Sequence, residues 1–448
     1  MTSSSVEPTP LACESMLPAS LDQLLSDLST AGPRHMLYVP GPGDVAGTYR
    51  HWCAGRDDPS IPSVAYSAQV FELAEWISAH LTVLTEEKSA IGDGPHKTSV
   101  AFEQISAPEG RGVRYHLSEI AYALRIVCRA VFARADMIVM QRTLVHVWPV
   151  ALARLFGIRY VICLHNTLWP VGAERRLRER LLHAFNGWAF RRSEGVLGVS
   201  RAISAQVCKV AGPRFRKAVV HVPQYNEAWL RIAPAHRSDR PLKRVLYLGR
   251  VEENKGVFDL LDAFAHVGQQ HPELCLRVIG DGSARTELMR RTAGLAPDIA
   301  ARIEIPGPAH GEGVFAELAT ADLLVCPTTG RFAEGLAKTP IEAALVGVPS
   351  LITSSVPAAE VLGEAIQTVQ TDDVKALAAA LERLSRDPVR LAAMSSAAIR
   401  ARQQFFDRKK SLGAQLVQVL ARSLPAVTRR PIPTESTAVS MSPSSRTV

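Results

Sequence analysis

The stretch RVLYLGRVEENKG, residues 244–256, sets Arg250 and Lys255 on either side of a short acidic turn, between an apolar run and a glycine that can open a helix. Two cations at such a turn suit a diphosphate. Arg offers a planar fork, Lys a point charge, and the helix N-terminus partial positive charge. The plainer reading is two solvated cations partnered by Glu252 and Glu253. A second block, RFAEGLAKTPIEAALVGVPSLIT (331–353), holds Glu334 and Glu342 with seven residues between them. A helix starting near Pro340 would tolerate that proline in its first turn. Glu342 would then stand just inside the helix and Glu334 in the loop before it. Both could accept hydrogen bonds from sugar hydroxyls, and backbone N–H groups from Gly335 through Leu336 and Ala337 to Lys338 could approach a charged ligand. The bland alternative is one capping and one exposed glutamate.

His165 ends an apolar run, where it can be a packed core residue or face a ligand. GPGDVAG (41–47), which contains Gly43, misses a dinucleotide fingerprint because its last gap is one residue too long, and it serves equally as an ordinary turn. Seven scattered cysteines form no CxxC pair, so they imply neither a disulfide frame nor a zinc site, and a reduced interior fits them. No DxD-like metal motif stands at a strand end.

These residues need elements to carry them. Short apolar runs at 35–40, 81–85, 136–141 and 159–165 alternate with helical spacing at 67–81 and 115–135, and a helix kinked at Pro149 is expected in LVHVWPVALARLFG. This alternation is the pattern of a parallel sheet covered on both faces. It breaks at 233–243 and restarts from 244. The expected organisation is a flexible lead-in (1–33), an N-terminal Rossmann-like lobe (34–232), a linker (233–243), a C-terminal Rossmann-like lobe (244–402), a helix packing back toward the N-terminal lobe (403–423) and a disordered tail (424–448). Ligands of two facing α/β lobes bind at the carboxyl ends of the strands, in the cleft between them. The chain has 448 residues, 47% apolar and 21% charged, and is formally +8. That composition excludes wholesale disorder. No run approaches the ~18 apolar residues of a membrane span, and the N-terminus lacks the pattern of an export signal. Within the stretch 172–195, residues 173–193 carry six arginines against two glutamates, with Leu177, Leu181, Phe185 and Trp188 on one helical face. It reads either as a core-facing helix or as one lying on an anionic membrane. Nucleic acid is not expected, because no recognised binding fold accompanies the charge.

The strand–GR…KG–helix block, the GDG after the next strand, ADLLVCPT, and the paired glutamates followed by EAALVGVPSLIT resemble the C-terminal domain of glycosyltransferase family 4. VICLH and VLGVSRAIS resemble its N-terminal half more thinly. The resemblance implies the GT-B fold, α/β with two facing Rossmann-like doubly wound domains, and transfer from a nucleotide-sugar donor with retention. It implies that Arg250 and Lys255 hold the diphosphate, Glu342 the ribose and Glu334 the transferred sugar, with His165 near the reacting centre and the Gly43 loop over the donor. Where the family more often has Phe-Gly, this chain has Leu336 and Ala337. Lys338 either adds charge to the phosphate site or points outward. The expected function is a retaining, metal-independent glycosyltransferase with no cofactor beyond its donor. It would serve a saccharide or lipid-linked acceptor in cell-surface glycan synthesis, in the cytoplasm or peripherally at the membrane's cytoplasmic face. The alternatives are an epimerase on the same fold and a non-catalytic nucleotide-sugar-binding protein.

Overall fold

The structure is a computed structural model, and it describes residues 20–86, 99–173, 177–227, 229–232 and 241–424. Residues 1–19 of the lead-in, 233–240 of the linker and 425–448 of the tail lie outside the described residues, as do Arg175 and Arg176.

The N-terminal lobe is built on seven strands: β1 (His35–Val39), β2 (His80–Thr85), β3 (Val100–Gln104), β4 (Met137–Met140), β5 (Arg159–Leu164), β6 (Gly195–Gly198) and β7 (Ala218–Val220). The C-terminal lobe has six: β8 (Arg244–Leu248), β9 (Cys275–Ile279), β10 (Ile303–Gly307), β11 (Leu323–Cys326), β12 (Ser350–Thr353) and β13 (Ile366–Val369). The sheet orders are β3-β2-β1-β4-β5-β6-β7 and β10-β9-β8-β11-β12-β13. Among the described residues every pairing between these strands is parallel, with Tyr38 opposite Val139 and Leu324 opposite Leu246. Central strands such as MIVM and LLVC are almost fully buried, because helices cover both faces. Strand order reverses at β1/β4 and again at β8/β11. These are the two switch points where a doubly wound sheet opens a crevice for ligand.

One apolar cluster runs through both lobes, from Leu37 and Ile138 to Leu246 and Ile341. The lobes are therefore held across a packed seam. Part of the expected flexible lead-in is ordered. Residues Leu21–Ala31 form a helix capped by Ser20, whose Oγ accepts from the Gln23 N–H at 3.3 Å. The spacing of LDQLLSDL lays Leu21, Leu24, Leu25 and Leu28 on one face, which packs with the helix Leu412–Arg422. That C-terminal helix lies against the N-terminal lobe, on the helix Tyr66–Trp76. The expected kink at Pro149 is absent. Trp148–Phe156 is a 3-10 helix with Pro149 in its first turn, where a missing N–H costs nothing.

Candidate functional site

The site grows from the loops at the two switch points. After β8 the chain passes Arg250, makes a short 3-10 turn at Glu253–Lys255 and enters the helix Val257–Gly268 through Gly256. Gly256 has φ +74°, and a β-carbon there would overlap the Pro327 carbonyl oxygen beyond β11. Glycine thus lets the two switch-point loops touch. The Lys255 Nζ reaches the Glu334 carboxylate at 2.6 Å, and both side chains are largely buried, 16% and 10% exposed. Thr328 also donates to Glu334, at 3.4 Å. Phe332 lies under both cations, 3.8 Å from the Lys255 Nζ and 5.5 Å from the Arg250 guanidinium carbon. Arg250 is more open, 57% exposed, and pairs with Glu252 at 2.9 Å. Sequence reasoning divides Lys255 and Glu334 between phosphate and sugar; the structure joins them in one ion pair.

The second glutamate block forms a loop and the helix Lys338–Leu345, with Pro340 in its first turn. Gly335 sits so close to the N-terminal lobe that a β-carbon would overlap the His165 carbonyl oxygen. Backbone meets backbone across the cleft there. Ala337, where the family more often has Gly, keeps φ +61°, a backbone that disfavours a side chain. Lys338 points into the cleft, not outward. Its Nζ donates to Ser63 Oγ at 2.9 Å and lies 5.3 Å from the centre of the Tyr66 ring. The residue as a whole is exposed, while its Nζ lies against Ser63 and the Tyr66 ring. Burial pushes its pKa below the usual lysine range, offset in part by Glu342. Glu342 follows one turn later on the same helix face. It is buried, and Tyr225 donates to it at 3.2 Å. Burial raises its pKa against the pull of Lys338 and Tyr225.

From the opposite lobe His165, just past β5, stacks on Tyr66 with ring centres 4.8 Å apart. Its Nε2 is buried without a hydrogen-bond partner. Burial, then the Lys338 charge, lowers its pKa to about 4, so the ring is neutral at physiological pH. His165, Glu334, Leu336, Ala337, Lys338 and Gly43 all line one interlobe cleft of ≈ 680 Å³. Glu342 stands behind Lys338. Arg250 and Lys255 meet the group through Phe332 and Glu334. Sequence reasoning missed Tyr66, Ser63, Tyr225 and Phe332, which hold these groups in place. Among the described residues no group of three or more His, Cys, Asp or Glu could hold a metal ion.

Residues 66–224 match the family described as glycosyl transferase 4-like domain, and residues 242–387 match glycosyl transferases group 1. The chain belongs to the GT-B glycosyltransferases. This glycosyltransferase is 28% identical over 267 residues to a glycogen synthase of Mycobacterium tuberculosis, covering 57% of this chain and 61% of that one. It is 31% identical over 153 residues to a GDP-mannose-dependent monoacylated alpha-(1-6)-phosphatidylinositol monomannoside mannosyltransferase of Corynebacterium glutamicum, covering 33% and 39%. The similarity therefore spans less than two thirds of the length of these relatives. In fold it resembles Anabaena HepE in complex with UDP, with TM-score 0.60 and 17% identity, over 87% of this chain and all of that one. It also resembles a UDP-forming trehalose-phosphate synthase from Burkholderia xenovorans, with TM-score 0.63 and 12% identity, over 87% and 99%.

Proposed function

We propose that this glycosyltransferase moves a sugar from a nucleoside-diphosphate sugar in the C-terminal lobe to a saccharide or lipid-linked acceptor on the N-terminal lobe, with retention and without a metal ion. One observation carries the reading. The unpartnered, buried Nε2 of a neutral His165 lines the same cleft as Glu334 and Lys338 of the other lobe. Neutral donors and acceptors facing a carboxylate suit sugar hydroxyls, and the cations beyond them suit phosphate. The bond from the anomeric carbon to the phosphate oxygen breaks. The acceptor oxygen forms its bond on the face being vacated, and its proton passes to the departing diphosphate. Arg250, Lys255 and the start of the helix Val257–Gly268 stabilise the charge growing on that diphosphate. Glu334 and His165 orient the sugar, Glu342 serves the ribose, and the Gly43 loop covers the donor.

The relatives' activities, one using GDP-mannose and one forming glycogen, support donor and acceptor classes of this kind. No described helix is long and apolar enough to cross a membrane. We place the enzyme in the cytoplasm, held peripherally through the arginine-bearing helix of the N-terminal lobe. The test is calorimetry with UDP and GDP, then turnover with their sugars. One nucleotide should bind, and Arg250→Ala should weaken it by about 1.5–3 kcal/mol. Glu334→Gln should retain nucleotide binding and lose turnover. Binding of neither nucleotide would remove this reading.

A further inference from the structure

Residues 54–65 join the helix Val45–Cys53 to the helix Tyr66–Trp76 as a strap along the cleft. Thr48 donates to Asp58 at 2.8 Å, and Asn226 donates to Asp57 at 2.5 Å. The Val64 N–H donates to the Gln224 carbonyl at 2.8 Å, and Ser63 forms an isolated antiparallel bridge with Tyr225. The strap touches the C-terminal lobe at two places. The Pro59 carbonyl oxygen would lie 3.4 Å from a β-carbon on Gly311, and Ser63 receives the Lys338 ammonium.

An ammonium has three donors. At Lys338 one is spent on a neutral hydroxyl and the Tyr66 face accepts weakly, which leaves capacity directed at the cleft lined by Glu334. Hydrogen bonds from a cation to a phosphate oxygen are about twice as strong as neutral ones. We propose that Lys338 is a donor-phosphate ligand that keeps its bond to Ser63, so that one side chain ties the bound diphosphate to the strap. This rests on the donor-site reading above and adds its regulation. Donor arrival fixes Lys338, Lys338 fixes Ser63, and the strap is held over the cleft before the acceptor is engaged. Closing a site in this order limits loss of the sugar to water.

The experiment is amide hydrogen exchange of residues 54–65, with and without saturating UDP or GDP, in the full chain. In the wild-type protein the binding nucleotide should slow exchange there by about threefold or more, the scale of one net hydrogen bond. Ser63→Ala should lose the slowing, and because coupling is reciprocal its nucleotide affinity should fall by no more than about threefold. Lys338→Met should lose the slowing and also weaken the nucleotide by about tenfold or more, the scale for a charged hydrogen bond. Equal slowing in Ser63→Ala, or undiminished affinity in Lys338→Met, overturns the tether. If a nucleotide binds the wild-type protein but 54–65 gains no protection, the tether fails and the donor site stands. If neither nucleotide binds, both fail. Ser63→Ala decides the tether even if Lys338→Met does not fold.

Discussion

At the scale of single residues, the ion pair between Lys255 and Glu334 sets what mutation can reveal. An exposed cation can be deleted cheaply, but Lys255 is largely buried against a buried carboxylate. Lys255→Ala strands that carboxylate, and the expected cost is about 3 kcal/mol of stability, the scale of breaking a buried pair. The double variant Lys255→Met with Glu334→Gln strands no charge and should recover most of it, which denaturant unfolding of both proteins would show. Equal stabilities of the single variant and the wild type would mean that water screens the pair. Ala337 offers the opposite case. Its φ of +61° is a strained backbone for a residue with a β-carbon. Ala337→Gly should therefore raise stability by about 1 kcal/mol, after the extra chain entropy of glycine is subtracted. A loss of stability on that substitution would mean that the methyl group packs better than the backbone is strained.

At the scale of elements, strand ends bring histidines to the seam between the lobes. His165 follows β5 and stacks on Tyr66, and His221 follows β7 and meets Tyr66 in a T-shaped contact. Burial, with smaller contributions from His165 and Lys338, holds the His221 pKa well below the usual range, and both its ring nitrogens are buried without partners. Each folded pKa is depressed, His165 to about 4. Stability from these groups is full above the unfolded value of ~6.5. As pH falls through the window from there to about 4, the unfolded chain binds protons that the folded chain refuses. The lost stability is about 1.4 kcal/mol per pH unit for each histidine. Unfolding titrations at several pH values should show this slope, and His221→Phe should make it shallower by one proton. An unchanged slope would mean that His221 accepts its proton within the fold.

The same elements show what a sequence can and cannot disclose. Arg250, Gly256 and the glutamate pair are legible because a strand-to-helix turn near phosphate needs cations and glycine in a local order. Strands such as RYVIC and LLVC are legible as apolar runs with clear ends. GVLG of β6 and AVV of β7 are only four and three residues long, and their pairing rests on neighbours far along the chain. Lys255 and Glu334 are 79 positions apart, and Lys338 and Ser63 are 275 apart. Such pairs exist only once the lobes face each other, so no local pattern announces them.

At the scale of the whole molecule, the helix Leu177–Arg192 carries the apolar stripe for which two readings stand. A stripe that packed into the core would be hidden. Instead Leu177, Leu181 and Phe185 are 74%, 58% and 62% exposed, while His183, Asn186, Ala189 and Phe190 face inward. Trp188 is half-buried against the core and does not belong with the exposed set. The neighbouring 3-10 helix adds exposed Leu155 and Phe156, and its Trp148 ring lies 6.3 Å from Phe185. Exposed apolar side chains grouped on one surface are a feature of contact sites. Arg178 on the same helix adds positive charge, and an anionic bilayer is the partner proposed for this surface. Each arginine near such a surface contributes about 1 kcal/mol, screened within a Debye length. The protein should therefore sediment with phosphatidylserine-containing liposomes, release with salt, and ignore neutral ones. Leu181→Ser with Phe185→Ser should abolish sedimentation with only a small loss of stability, because both side chains are more than half exposed. If the double variant still sediments as the parent does, the stripe is not what enters the lipid. If the parent fails to sediment at low salt, the acceptor comes to the N-terminal lobe from solution and the stripe serves another partner.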